Sequence, residues 1–351
     1  MLDKDQKQNA TEGSTAIQAG RDVVITKTGL SYAEVRDVAL DVFQKNFYQL
    51  GGAARETANV RGEEITEEFL SKLQKENPSG LEKAQDPDFQ YALLTVQKEY
   101  ARNGDKDLGD LLVDLLVDRS KQEQRDILQI VLNESLSTAP KLTENHLAVL
   151  AVIFFFRYAQ NYRIGDHQTL GEEFDKFLAP FVSKVVKNAA CYQHLEFSGC
   201  GSTGYGSIKL EAILGKTYQG LFLKGFDTQK VAEKEISIGL DQRFFIPCLN
   251  DPTKTQVRAN SKEILEKNFE THAITLEDRA KIKELFDVGK MTEKEIKDKC
   301  IEIRPYMSEL FEIWSVSAMK HFTLTSVGIA IGHANIKRLV GEFANLSIWI
   351  N

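Results

Sequence analysis

The sequence predicts a mainly α-helical fold, on three observations. The 351-residue chain contains only 7 prolines, and proline interrupts the hydrogen-bond ladder of a helix. Apolar residues recur at i, i+3 and i+4 through most of the chain, which is typical of amphipathic helices. Strand-like patterns are confined to short stretches. We therefore predict a long N-terminal helix plus a helical bundle, with a short N-terminal β segment and a small α+β C-terminal part similar to a winged helix.

The first segment that departs from this pattern is residues 14–26. It contains two short strand-like pieces joined by Gly20-Arg21-Asp22, and Ile17, Val23 and Ile25 could face one side. A lone hairpin is marginally stable in water and leaves edge groups unpaired. This segment is therefore expected either to dock on its own chain or to stack with copies from other subunits, which would make it an oligomerisation element.

A helical pattern then extends from Ser31 to about Asn77. Ser31 and Glu34 form a capping box of the S-x-x-E type, which marks the start of a helix. The interruption at Gly51-Gly52 predicts either a kink or two separate helices. Apolar residues, Val35 and Val42 among them, have near-heptad spacing, so this region needs a packing partner in the same chain or across a subunit interface. Val35 and Val42 are thus further candidate oligomerisation residues.

The remaining chain is predicted to be helical with short loops. The predicted helices cover 89–102, 107–118, 122–136, 142–162, 171–188, 207–215, 218–222 and 228–238, then two capped helices starting at Thr275 and Thr292, a helix over 304–319 and one from Thr325 to Leu339. Residues 321–324 and 346–350 are predicted to be strands. Residues 247–261 are polar and rich in turn formers, which indicates a boundary. We therefore divide the chain into 1–29, 30–164, 165–246 and 247–351.

Composition and charge restrict the classes of function. The formal net charge is −7, so the overall field does not attract nucleic acid or anionic lipid. The longest apolar run, Leu147–Phe156, is shorter than the roughly 20 residues of a bilayer-spanning helix. The N-terminus lacks the apolar core of a signal peptide, and 4 cysteines fit a reducing compartment. We expect a cytoplasmic protein without a membrane span.

A glycine-rich stretch is the main candidate ligand site. Gly199, Gly201 and Gly204 follow the G-x-G-x-x-G spacing, which in dinucleotide-binding proteins lets backbone amides approach a phosphate. No βαβ alternation surrounds it, so a flexible loop is the preferred interpretation. If the loop is functional, Gly199, Gly201, Ser202, Thr203 and Gly204 would bind a phosphate or a peptide.

Other clusters are interpreted as structural. Cys191, His194 and Cys200 could provide three zinc ligands, but a structural zinc site needs four, so buried thiols and a surface histidine are preferred. Asp107, Asp110, Asp114 and Asp118 are spaced along one helix face and are interpreted as solvated surface. We predict no metal site and no cofactor.

The polar pair Asn133-Glu134 lies within an apolar helix, and one member is expected near the core, bonded to backbone or to an arginine. The chain contains no H-E-x-x-H, G-x-S-x-G or P-loop motif. Catalytic residues therefore cannot be assigned. This weakens the hypothesis that the protein is an enzyme without excluding it.

Three stretches together carry a resemblance: Ala16–Ile25 leading into Gly29–Val35, the segment 107–134, and Leu324–Gly332. With these, the chain resembles an uncharacterised bacterial family of mostly helical proteins with a short N-terminal rung like those of β-solenoids. The resemblance implies no known activity and no catalytic residues. Bacterial proteins with a similar rung resemble components of phage defence.

The leading functional hypothesis is a homo-oligomeric scaffold or sensor in a bacterial cell, with a role in antiviral defence. The helical body would then bind a protein partner or a ligand. One alternative is an enzyme that acts on a nucleotide or phosphate through the 191–207 loop. A second is nucleic-acid binding through the C-terminal helices, which the near balance of basic and acidic residues over 275–305 argues against.

Overall fold

A computed structural model of the protein describes residues 30–46, 51–341 and 343–351. The segment 14–26, with Ile17, Val23 and Ile25, lies outside the described residues, so its predicted role in assembly stays a prediction. The mainly α-helical class is confirmed, because helices dominate the described residues and the strands form only two short antiparallel pairs.

The helices fall into a larger N-terminal set and a smaller set that follows the glycine-rich stretch. The first set is α1 (Tyr32–Asn46), α2 (Gly52–Glu76), α3 (Pro87–Asn103), α4 (Lys106–Ser120), α5 (Ile127–Thr138), α6 (Glu144–Tyr158), α7 (His167–Phe177), α8 (Ala179–Val182) and α9 (Ala189–Phe197). The second set is α10 (Leu210–Thr217), α11 (Gln229–Glu233), α12 (Lys262–Thr271), α13 (Leu276–Phe286), α14 (Glu293–Ile303), α15 (Met307–Val316) and α16 (Ser326–Val340). Short 3-10 turns lie at 78–85, 139–141, 219–222, 318–321 and 346–348.

The region predicted as a long helix forms a helical hairpin. Helix α1 ends at Asn46 and α2 begins at Gly52, whose φ of +51° favours glycine. Glu67 on α2 accepts hydrogen bonds from Tyr32 and Arg36 near the start of α1, whereas Phe43 near its end packs against Gly62. The two helices are therefore antiparallel, and of the two predicted alternatives, separate helices are confirmed.

The apolar faces of this hairpin are covered by the same chain. Val35 is 1% exposed and Ile65 and Phe69 are fully buried, in a core that they share with α3 and α4. Val42 is partly buried beside Phe43. Val35, Ile65 and Phe69 therefore do not need a second subunit to bury them, whereas Val38 and Val60 are 37% and 60% exposed. The predicted role of this region in assembly is not tested by this packing.

Helix α6 is the centre of the main core. Its residues Leu147–Phe156 are all buried, and α16 packs along it. Because neighbours surround α6 on every side, its sequence is apolar without a polar face. None of the helices in the described part of the chain is both long and apolar enough to cross a membrane.

A second, smaller core lies between residues 223 and 288. It is built around Phe226, Phe244, Phe269 and Phe286 and includes a hairpin of β2 (Phe245–Pro247) and β3 (Thr255–Val257), in which Ile246 pairs with Gln256. Sequence patterns missed this hairpin because residues 247–261 are polar and turn-rich. The predicted domain boundaries stay predictions.

The C-terminal part differs from the predicted strand-helix-strand. Strand β4 (Phe322–Leu324) is confirmed, but it pairs with β1 (Gly201–Thr203). The predicted strand over 346–350 is wrong, since 346–348 form a 3-10 turn with Asn345 as its cap. The burial explains why: Leu346 and Ile350 are buried whereas Ile348 is 62% exposed, which does not fit the alternation of a strand. The second strand of a winged helix is thus missing from residues 343–351.

The predicted helix over 171–188 is also interrupted. Helix α7 ends at Phe177, and the single turn α8 begins at Ala179 with Pro180 at its start. Proline is tolerated in a first turn but not in a helix interior. Pro180 is the sequence signal for this interruption, and the break between α7 and α8 follows from it.

Candidate functional site

The glycine-rich stretch forms a strand rather than a phosphate loop. In β1, Gly201 pairs with Leu324 and Ser202 with Thr323. A Cβ atom at position 201 would overlap the ring of Phe322 and lie 2.6 Å from the carbonyl oxygen of Thr323. The glycine at position 201 is therefore required for close approach of β4.

The other residues predicted to bind a ligand here lie at the surface. Ser202, Thr203 and Gly204 are exposed, and Gly199 has a φ of +74° in the turn after α9. The Thr203 amide donates to Glu196 and the Gly204 amide to the carbonyl of His321. Their predicted role in ligand binding is not tested by these contacts.

In the cysteine-histidine cluster, Cys191 and Cys200 are buried and His194 is partly buried. Burial raises the pKa of Cys191 to about 11 and that of Cys200 to about 12, so both are protonated thiols near neutral pH. The Nε2 atom of His194 lies 2.8 Å from the carbonyl oxygen of Lys141. Within residues 30–46, 51–341 and 343–351, no group of three or more His, Cys, Asp and Glu side chains is arranged to hold a metal ion.

The polar pair in α5 supports a buried arginine, as predicted. Arg119 is 3% exposed; its Nε donates to Asn133 at 2.9 Å and its guanidinium pairs with Asp88. The Asp88 carboxylate also accepts from Gln129 at 3.0 Å. Buried cations need such partners, so this group joins α3, α4 and α5.

The aspartate stripe of α4 is not uniformly solvated, which corrects the sequence interpretation. Asp107 pairs with Arg338 at the surface, but the side chain of Asp114 is 1% exposed and that of Asp118 is 13% exposed. The sequence interpretation failed because α16, which lies more than 200 residues further along the chain, packs onto α4 and covers the end of this stripe.

Asp114 and Asp118 belong to an ion cluster of six residues: Lys72, Glu76, Asp114, Asp118, Lys121 and Lys337. The Nζ atom of Lys337 lies 3.0 Å from Asp118, 3.3 Å from Glu76 and 3.9 Å from Asp114. Lys121 contacts Asp118 at 2.7 Å, and Lys72 contacts Asp114 at 2.6 Å. The ion cluster links α2, α4 and α16.

The environment of each group decides its charge. Burial opposes ionisation of Asp118, but the ammonium groups of Lys337 and Lys121 outweigh it, so the pKa of Asp118 lies below its usual value. Burial likewise opposes the charge of Lys337, and Asp118 and Glu76 overcome it and raise its pKa. For Asp114, burial dominates over Lys72 and raises the pKa. Lys337 and Asp118 are therefore a stable pair of opposite charges.

A cavity of about 600 Å³ opens beside the ion cluster, and we call it the polar cavity. One wall carries three lysines and two carboxylates: Lys75, Lys121, Lys337, Glu76 and Asp118. Its apolar lining residues are Leu128, Leu132, Phe343 and Leu346. The cavity therefore offers both charged and apolar contacts to a bound molecule.

His333 on α16 fixes the C-terminal segment, residues 343–351, as a wall of this cavity. The histidine is 2% exposed and its Nε2 bonds the carbonyl oxygen of Ala344 at 2.6 Å. Trp349 of the same segment donates through Nε1 to the carbonyl oxygen of Tyr158 at 2.6 Å. These two bonds hold the segment against α6 and α16.

A second cavity of about 510 Å³ is lined in part by the same segment, and we call it the aromatic cavity. Its walls include Phe155, Phe177, Tyr218 and Trp349. Phe343 and Ala344 line both cavities, so the C-terminal segment contributes to both.

Sequence reasoning missed both cavities because each is assembled from distant parts of the chain. One signal was present, however. Within the apolar helix α16, His333, Asn335 and Lys337 are polar at alternate positions, and the structure buries His333 and Asn335. Polar residues on the buried side of a helix need partners.

The comparisons with known proteins place the chain in a family. A protein-family model whose description states no activity matches residues 29–350. The match covers most of the chain, so the protein belongs to this family. No curated protein and no solved structure matches the chain significantly.

Proposed function

We propose that this protein is a sensor that binds a small anionic molecule in the polar cavity. The observation that carries the proposal is the cavity wall, where Lys75, Lys121 and Lys337 face the same space as an apolar surface. Its volume of about 600 Å³ lies within the range of roughly 300–1,000 Å³ that is usual for small-molecule sites.

Lys121 and Lys337 are held in place before a ligand arrives. Lys337 is 12% exposed and paired with Asp118, Glu76 and Asp114, so these carboxylates offset its charge and it holds the cavity wall in place. Lys121 has a side chain that is 33% exposed and Lys75 is exposed, so both remain reachable. An anion at the mouth would contact Lys75 and Lys121, while its apolar part would pack against Leu128 and Leu132.

Binding is better supported than covalent catalysis at this site. Lys121, Lys337, Glu76 and Asp118, whose groups can act as nucleophiles in other proteins, are paired with one another here. The enzyme alternative through residues 191–207 is less well supported, because the centre of that stretch is paired with β4.

Binding of nucleic acid through α13 and α14 has little support from charge. Lys281, Lys290 and Lys299 are paired with Glu277, Asp287 and Glu302. The two helices together carry six Lys or Arg and seven Asp or Glu, so they present no excess of positive charge to a phosphate backbone. The bacterial origin, the cytoplasmic location and the role in antiviral defence stay predictions of the resemblance and of the composition.

The proposal is tested by removing the two reachable lysines. We expect inorganic phosphate, sugar phosphates or mononucleotides to raise the melting temperature of the intact chain. We expect the Lys75→Gln/Lys121→Gln variant to bind the effective anion about ten-fold or more weakly, as the loss of a charge-assisted contact implies. Thermal-shift titration and isothermal calorimetry measure both effects.

A matched control is Lys187→Gln/Lys209→Gln, which removes the same charge from two other surface ion pairs. It should leave the affinity unchanged. The proposal is wrong if no anion of the panel stabilises the protein, or if the two double variants lose affinity equally.

A further inference from the structure

We infer that the aromatic cavity is a second binding site, which takes a flat heteroaromatic ring that carries an N–H donor on its edge. This inference goes beyond the anion site and does not depend on it. Its first support is composition. Half of the residues that line the cavity are aromatic, against 9% of the whole chain, and ring faces are the surfaces on which flat ligands stack.

The rings of this wall are held in a fixed arrangement. Phe155 and Phe177 stack at 6.0 Å with 23° between their planes, and Phe343 and Trp349 stack at 6.0 Å with 12°. Phe177 meets Phe343 edge to face at 5.4 Å. Trp349 is further fixed by its bond to the carbonyl of Tyr158. A ligand therefore meets a rigid aromatic wall and loses little affinity to ordering it.

The polar groups of the cavity define the edge of the ligand. Glu173 is partly buried in the wall and accepts one hydrogen bond from Asn161 at 3.0 Å. A carboxylate has two oxygens that accept several bonds, so Glu173 retains capacity for an N–H donor. Burial raises the pKa of Glu173, so a donor that meets its charged form stabilises that form. An amino group on the ring would supply such a donor.

Cations already occupy the outer surface of this region. Lys176 lies 5.1 Å from the centre of the Phe177 ring, and Lys267 lies 5.1 Å from that of Tyr162. Arg163 also lines the cavity. These charges disfavour a cationic ligand, so the geometry favours a neutral amino-substituted ring over an alkylammonium group.

The test uses three probes: 9-methyladenine, 9-methylpurine and cyclohexylamine, of which the first two are called adenine and purine below. The methyl group removes the ring N–H of both, so adenine has the flat ring and an amino N–H donor, purine has the flat ring without an N–H donor, and cyclohexylamine lacks the aromatic ring. Trp314 and Trp349 are the 2 tryptophans of the chain, so Trp314→Phe leaves Trp349 as a reporter on the cavity wall. We expect adenine to change the emission of Trp349, purine to bind more weakly and cyclohexylamine not to bind.

The decisive variant is Glu173→Gln, which keeps the shape of the side chain and its bond to Asn161. This substitution should weaken the binding of adenine about ten-fold, which corresponds to the loss of one hydrogen bond to a charged group. It should leave the affinity for purine unchanged. Glu172→Gln, an exposed neighbour on α7, is the matched control. Phe177→Leu, which removes a ring but keeps an apolar side chain, should weaken both adenine and purine.

The inference is overturned if adenine produces neither an emission change nor calorimetric heat up to its solubility limit. It is also overturned if adenine and purine bind equally, or if Glu172→Gln matches Glu173→Gln. Because none of these probes is an anion, a negative result here leaves the lysine test of the polar cavity unaffected.

Discussion

The carboxyl group of Glu68 on α2 couples the stability of the protein to pH. Burial, the hydrogen bond that protonated Glu68 donates to Asp110 and the charge of Asp110 raise the pKa of Glu68 from 4.5 to about 7. The folded protein therefore holds a proton on Glu68 at pH values where the unfolded chain has released it. Protons bound more tightly by the folded state stabilise it at low pH.

The expected consequence is that the free energy of unfolding falls as pH rises from about 4.5 to about 7, because ionised Glu68 is poorly solvated beside Asp110. In the Glu68→Gln variant this part of the pH dependence should disappear. Urea unfolding followed by circular dichroism across this range measures it. Glu63→Gln, on an exposed position of the same helix, is the control, and parallel curves for the wild type and Glu68→Gln would contradict the assignment.

At the scale of single residues, the sequence predicted the contact of Asn133 but not the burial of Asp114. The physical reason is that local patterns do not encode which distant helix packs onto a residue. Asn133 and Glu134 stood out because they interrupt an apolar helix, and Asn133 indeed bonds Arg119. Asp114 did not stand out, because its spacing with Asp110 and Asp118 is that of a solvated face. Whether such a face is covered depends on α16, and no local pattern around residue 114 encodes that contact.

Among the secondary-structure elements, the pairing of β1 with β4 has the clearest consequence. These strands come from residues 201–203 and 322–324, and they connect α9 to the start of α16. The spacing of glycines in 199–204 is the same whether the glycine makes room for a ligand or for another strand. The glycine spacing therefore predicts that another group packs close to Gly201. It does not show whether that group is a ligand or a strand.

Substitution of Gly201 by alanine should destabilise the protein by about 1–3 kcal/mol, the usual cost of overpacking a core position. The added methyl group would overlap the Phe322 ring. Chemical denaturation measures the loss. Gly206→Ala is the matched control, because no atom lies within 4 Å of its added Cβ. Equal stability of the two variants would show that the β1–β4 contact is looser than described.

At the scale of the whole molecule, local patterns predicted the helical class and most helices but not how distant segments pack. Capping residues marked the starts of α13, α14 and α16, since caps act within one turn. The hairpin of α1 and α2 and the two cavities depend on contacts across the chain. Val35 and Val42 were predicted to need a packing partner. That partner is a distant part of the same chain, namely α3 and α4.

The proposed homo-oligomer consequently depends on residues 14–26. We expect the full chain to form an oligomer at micromolar concentration and a variant lacking residues 1–29 to be a monomer, because the removed segment carries Ile17, Val23 and Ile25. Size-exclusion chromatography with light scattering measures both masses. Circular dichroism of the shortened chain controls for folding. A monomeric full chain, or an unchanged mass after deletion, would contradict the proposal.

Phe343 and Ala344 contribute to the lining of both cavities, which gives the two spaces a common boundary. A molecule that moves these two residues when it enters one cavity therefore changes the shape of the other. Thermodynamic linkage then requires that each occupant alter the affinity for the other by the same factor.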